Sequence, residues 1–373
     1  MKQGFAAFTI FSIAILVSCN SISPDLTLVM QEDVVDFTLS QIRLGIAFPP
    51  DSTPEHRAFS IENMNTLGLD WYRINQDWAL REPTNDTFSW LPLRERLTAF
   101  GAAQKKVLLT LDMKNLPTWW KELATDALRV SEFSQFCTQL LTEFSSDIAM
   151  IQFGNEWNWE IDAYLPGNSK DQLFIDMTKA LSTAVASVSS PMRPLVVLGS
   201  LSIDGLRFIS LAKNSIQNVH FDNGWLYSTS QLNDLSTAYT SGIDRLKNII
   251  SKVDFDVVDL HFYDDYFNWS VYLTDYKALI GECSKDPSQF QYIAGEFGGP
   301  HPKLESSNGT YARNKLALYV KTLDSMGMST ALFFKLVQDA DSTIVHPNSF
   351  LIDSNLVANT RYDVMKGFGT SKQ

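Results

Sequence analysis

The chain has 373 residues, with 30 Lys and Arg against 42 Asp and Glu, a net charge of −12. A hydrophobic content of 45% supplies a large core and excludes a mainly disordered chain. The acidic balance argues against nucleic acid and anionic membrane surfaces as main partners and suits a neutral ligand.

Lys2 precedes a 13-residue apolar stretch, Phe5 to Val17, too short to span a bilayer and the right length for a secretory h-region. It ends Leu16-Val17-Ser18-Cys19. That ending resembles the bacterial lipoprotein signal, which implies cleavage before Cys19 and lipidation of its thiol. Residues 1–18 are then the signal peptide and 19–36 a polar tether. Asn20 is not the Asp that retains such proteins at an inner membrane, so the resemblance favours an outer membrane in a diderm host. With Cys19 set aside, Cys137 and Cys283 have no CxxC spacing and no nearby His. They read as free thiols, not as a zinc site.

Short β-prone runs then alternate with longer helical stretches. The predicted strands are 42–48, 71–75, 107–112, 148–155, 195–199, 257–263, 291–296 and 330–335. Leu173, Met177, Leu181 and Val185 share one face of a predicted helix near 170–188; Leu316, Tyr319, Val320 and Leu323 do so near 311–325. Gly68, Gly101 and Gly327 each fall where a helix C-cap is expected. Eight strand-then-helix units predict an α/β fold, a (β/α)8 TIM barrel in one domain over residues 37–373. A doubly wound sheet is the second choice. The longest insertion, about residues 200–250, carries Asn223-Gly224 and Trp225 and reads as a loop that walls the site.

In such a barrel the chemistry sits at the C-terminal ends of the strands. The fourth strand runs into Asn155-Glu156 and the seventh into Glu296. Two carboxylates facing one mouth are what glycoside hydrolysis requires. One holds a proton for the leaving oxygen; the other stays ionised to attack the anomeric carbon. Either Glu alone would serve equally well as a helix-end or ion-pair residue. Asp264 and Asp265 read as a solvated loop end, and no metal site is expected.

Asn155-Glu156 and Glu296, with Arg73 after strand two and His261-Phe262-Tyr263 after strand six, resemble the signature of the retaining glycoside hydrolases of clan A, families five and thirty-nine being the nearest. The resemblance covers roughly residues 40–368. It implies that Glu156 is the acid/base and Glu296 the nucleophile. It implies further that Asn155 binds the sugar 2-hydroxyl and that Arg73 and Tyr263 contact Glu296. Strand eight departs from the pattern: where a Trp usually floors the central subsite, the sequence reads Phe333-Phe334-Lys335. Phe334 is a candidate platform, and Lys335 a candidate contact to an acidic or highly hydroxylated substrate. Asp112, where a His is frequent, is a candidate partner for a sugar hydroxyl. Trp120 and Trp157 are candidate sugar platforms, with Trp78, Trp119 and Trp159 behind them, because aromatics at a barrel mouth stack on sugar rings.

The expected protein is a lipid-anchored, monomeric hydrolase of β-glycosidic bonds in a carbohydrate substrate, needing no cofactor. The competing readings are a barrel that binds glycan without cleaving it, and a Schiff-base lyase or aldolase using Lys335.

Overall fold

The computed structural model describes residues 36–220, 226–228, 236–263, 265–298, 309–338 and 349–371. The β-prone runs pair in parallel, each with the next, as β1 (Arg43–Phe48), β2 (Trp71–Asp77), β3 (Lys106–Asp112), β4 (Met150–Phe153), β5 (Leu195–Leu201), β6 (Val257–Tyr263), β7 (Gln291–Gly298) and β8 (Thr330–Val337). β8 then pairs with β1, Leu44 opposite Ala331 and Ile46 opposite Phe333, so the sheet closes. Closure makes this a (β/α)8 barrel and rules out the doubly wound alternative.

The strands alternate in the way a closed barrel demands, one side chain inward and the next toward the helices. One residue from each strand meets at the base of the interior: Ala47, Trp71, Leu108, Met150, Val197, Val257, Ile293 and Leu332. The opposite set, among them Ile46, Leu109, Leu198 and Leu260, packs against the helices in the main core. The two helices expected from periodicity span Lys170–Ser187 and Gly309–Ser325. Their predicted faces are buried. Gly68 and Gly327 have the positive φ of helix-ending residues. Gly101 does not: its helix runs on to Ala102, and Gln104 takes the left-handed conformation.

Two strands break the alternation. Between β6 and β7, Asp259 pairs with Ile293 but His261 pairs with Glu296, so β7 carries one extra residue. β8 registers the same insertion, with Ala331 opposite Ala294 and Phe333 opposite Phe297. β5 is bulged likewise: Leu198 pairs with Val258 and Leu201 with Leu260. A bulge reverses the facing of everything beyond it.

The 200–250 insertion contains helices Ile203–Ala212 and Ser236–Lys252 and a short antiparallel pair, Asn218–His220 with Leu226–Ser228. Asn223, Gly224 and Trp225 lie outside the described residues, as do Cys19, the signal segment and Asp264. Phe350–Ile352 adds a short parallel strand beside β8 that the sequence did not suggest. Cys137 and Cys283 are free and buried. Among the described residues no helix is long and apolar enough to cross a membrane.

Candidate active site

Above the apolar base, the inward positions turn polar. Arg73 on β2 is fully buried and organises them. Its guanidinium donates to Glu296 Oε1 at 2.6 Å, to Asn155 Oδ1 at 2.6 Å and to Thr110 Oγ1 at 2.8 Å. Gln152 on β4 completes the layer. With its amide oxygen toward Arg73 and Thr110, its nitrogen donates to Asp259 Oδ2 at 3.1 Å. A buried cation needs such a set of acceptors, because an unpaired charge there is far costlier than a paired one.

Glu296 reaches this layer only because β7 is bulged. Ile293 faces the interior, and strict alternation would send the residue three positions on toward the helices. The extra residue turns Glu296 inward, and the Asp259 carboxylate takes the Gly295 N–H at 2.6 Å. A Cβ on residue 295 would collide with both Asp259 carboxylate oxygens, so glycine is required there. Glu296 Oε2 accepts the Tyr263 hydroxyl at 2.7 Å. Burial and the Glu296 charge push the Tyr263 pKa well up, so the phenol stays a donor.

Glu156 is built differently. Its backbone is left-handed (φ 45°, ψ 49°), at the start of the helix Trp157–Tyr164. That conformation disfavours a non-glycine residue and persists only where its surroundings impose it. The imposing contacts are specific. Ser200 Oγ accepts the Glu156 N–H at 2.9 Å and donates to Asn155 Oδ1 at 3.1 Å. Asn158 and Ser202 exchange two hydrogen bonds, tying the helix to the end of β5. Ser200 owes its inward position to the second bulge. Gly199 permits that bulge, since a Cβ there would stand 2.7 Å from the Phe153 carbonyl oxygen.

The two carboxylates share a neighbour. His261 Nδ1 lies 3.0 Å from Glu156 Oε1 and 3.5 Å from Glu296 Oε2. Burial works against charging this imidazole, but Glu296, Glu156 and Asp259 outweigh it and raise its pKa. The second Glu156 oxygen accepts the indole N–H of Trp159 at 2.8 Å. Glu160, one helical turn beyond Glu156, is buried and accepts the Asn155 N–H at 3.0 Å. Burial and the nearby Asp112 charge push its pKa up to about 8.

Arg73, Asn155, Glu156, His261, Tyr263 and Glu296 therefore form one connected cluster at the C-terminal mouth. Phe334 stands at its edge, 5.7 Å from the Tyr263 ring and 5.3 Å from Phe48. Lys335 is half-buried, its Nζ 5.1 Å from the Phe334 ring. Burial lowers its pKa while Glu296 pulls it back up. Asp112 ends β3 half-buried and accepts the Lys114 N–H at 2.7 Å.

Four expectations are corrected. Trp78, Trp120 and Trp157 are fully buried. Trp120 packs on Trp78 and gives its N–H to the Arg129 carbonyl; Trp157 stacks on Phe174. All three are core, because the helices over β3 and β4 bury the faces a sugar would need. Asp265 is not solvated: it pairs with buried Arg207 at 3.2 Å. Of the described tryptophans named as platforms, Trp159 is the most exposed, at 44%. Thr110, Gln152, Ser200, Asp259 and Glu160 escaped the sequence reading. The inward parity of Thr110, Gln152 and Asp259 was visible in strand alternation; nothing local marks Ser200 or Glu160.

No family model and no curated protein sequence matches the chain. Solved structures do. A GH5_18 protein from Bifidobacterium longum subsp. infantis aligns with TM-score 0.61 at 12% identity over 89% of this chain and 79% of its own. Xylanase 10B from Thermotoga petrophila RKU-1 gives 0.58 at 11%, over 89% and 95%. An exo-β-1,4-mannosidase from Opitutaceae bacterium strain TAV5 gives 0.59 at 13%, over 92% of this chain and 62% of that one. At these identities the likeness establishes the (β/α)8 barrel fold alone.

Proposed function

We propose that the chain is a retaining glycoside hydrolase that cleaves β-glycosidic bonds, with Glu296 as nucleophile and Glu156 as acid/base. The observation that carries this is His261 Nδ1 within 3.0 and 3.5 Å of the two carboxylates. One nitrogen reaching both keeps those two oxygens no more than about 6.5 Å apart, which favours the close spacing of retaining enzymes, about 5–5.5 Å, over the roughly 6.5–9.5 Å of inverting ones.

Glu296 is the more enclosed of the two, its oxygens fixed by hydrogen bonds from Arg73 and Tyr263 as an attacking carboxylate needs. In the first step a Glu296 oxygen bonds to the anomeric carbon as the bond to the leaving oxygen breaks. Glu156, protonated before this step, gives its proton to the leaving oxygen. In the second step water attacks the same carbon, Glu156 takes its proton, and the ester to Glu296 breaks. Asn155 has its amide oxygen committed to Arg73 and Ser200, which leaves its NH2 to donate to a sugar hydroxyl. The neighbours named a xylanase and an exo-β-1,4-mannosidase direct the first substrate panel to xylans, mannans and β-glucans.

The N-terminal sequence supports a lipid anchor at Cys19 on a bacterial cell envelope. Cys19→Ala is expected to abolish detergent-phase partitioning; unchanged partitioning would refute the anchor.

The deciding experiment is a 2-deoxy-2-fluoro aryl β-glycoside, followed by peptide mapping and an NMR time course on an unmodified substrate. A label on Glu296 and a first product of retained configuration are expected. An inverted first product would overturn the reading.

A further inference from the structure

We infer that Trp159 forms the leaving-group subsite and makes the site favour substrates whose leaving group carries a ring, either a sugar or an aryl group. This rests on the hydrolase reading above.

The helix Trp157–Tyr164 begins directly after Glu156 and carries two indoles of opposite fate. Trp157 is fully buried, whereas Trp159 is 44% exposed. Trp159 is nevertheless held in place: its Nε1–H is bonded to Glu156 Oε2 at 2.8 Å, and its ring centroid lies 6.0 Å from that of Tyr164. An exposed aromatic fixed by its one polar atom to a catalytic carboxylate is poorly explained by packing. Its bare face remains available.

Geometry says what that face meets. The leaving oxygen must come within about 2.6–3.2 Å of a Glu156 oxygen to receive its proton. The first atoms of the leaving group lie one or two bonds further out. The indole is anchored to the same carboxyl, so the two are neighbours whatever the sugar on the other side. The glycone end is fixed by Glu296 in the closed interior, where Arg73, Tyr263 and His261 are already buried. The leaving group therefore extends from Glu156 toward solvent, where Trp159 offers an apolar ring. Sugar C–H faces and aryl rings both cover such a surface; a methyl group does not.

The test compares a methyl β-glycoside, an aryl β-glycoside and a disaccharide of one glycone, in wild type, Trp159→Ala and Trp159→Phe. Phe keeps a ring but loses the N–H donated to Glu156, which separates stacking from any effect on the acid. Each variant's kcat/KM is taken relative to wild type. Trp159→Ala should lower the ratio of ring-bearing to methyl substrate by about tenfold, largely through KM, and Trp159→Phe should restore most of it. A second readout is reactivation of the fluoroglycosyl enzyme. With each variant's reactivation by water as its own baseline, an added acceptor sugar should speed it in wild type and Trp159→Phe but not in Trp159→Ala. Equal losses on all three substrates in Trp159→Ala, or an unchanged acceptor effect, would overturn the proposal and leave Trp159 a support for Glu156. If wild type neither turns over nor traps any glycoside, the hydrolase reading itself fails.

Discussion

Glu296 and Glu156 sit at two corners of one mouth and are held by opposite means. Glu296 is 7% exposed at its side chain and is fixed by a buried guanidinium and a buried phenol. Glu156 is 22% exposed, on a left-handed backbone, and its side chain is met by an indole at the solvent edge. A nucleophile must keep its charge and position through two displacements; an acid/base must exchange a proton with leaving group and water in each turnover. Under the proposed roles, the rigid corner suits the first task and the open corner the second.

The sharpest way to break this comparison is to remove each carboxylate. Glu296→Ala should abolish turnover on every substrate, and azide should restore reaction as the inverted glycosyl azide. Glu156→Ala should lose roughly 10²–10⁴-fold on natural glycans and much less in the bond-breaking step of an activated aryl glycoside. Azide should then give a retained product. Equal losses on both substrate types without azide rescue would refute the assigned roles.

Next in size is the bulge that turns Glu296 inward. Gly295→Ala forces a Cβ into the Asp259 carboxylate, and loss of soluble protein or a clear fall in Tm is expected. A Tm equal to wild type would show that the bulge tolerates a side chain.

Ser200→Ala addresses the other corner. It removes the acceptor for the Glu156 N–H from a buried position, a hydrogen bond worth about 0.5–1.5 kcal/mol. A loss of kcat of roughly tenfold or less is expected, greater on poor leaving groups than on activated ones. In the Glu156→Ala background the same substitution should change little further, since its effect passes through Glu156. Additive losses would place Ser200 outside that path.

The last expectation is a pH slope in stability. Glu160 holds its proton in the fold up to about 8, against an ordinary value of 4.5. Between those values the folded chain binds more protons than the unfolded one, so stability falls as pH rises through that window. Its contribution is complete below the unfolded value and is lost as pH passes the folded one. Glu160→Gln keeps an acceptor for the Asn155 N–H and cannot titrate. Urea midpoints from pH 5 to 8 should flatten relative to wild type; an unaltered slope would mean that Glu160 is not the group responsible.

Much of this was legible in the chain. The eight barrel strands lie at the predicted positions to within a few residues, because a strand buried on both faces must be a short continuous apolar run. Asn155, Glu156 and Glu296 stood out as polar residues directly following such runs. Alternation from the apolar residue at the base also carried Arg73, His261 and Tyr263 inward, as found.

What the sequence could not decide were features set by neighbouring elements. By alternation alone, Glu296 and Ser200 face the helices. The bulges in β7 and β5 turn them inward, and each bulge depends on the partner strands and on a carboxylate or carbonyl arriving from elsewhere in the chain. The tryptophans divide for the same reason. Trp120, Trp157 and Trp159 are alike as residues near strand ends, yet two are sealed into the core and one is left at the mouth. Local composition fixes that an aromatic is present; only the packing of distant helices decides which of its faces water, or a sugar, can reach.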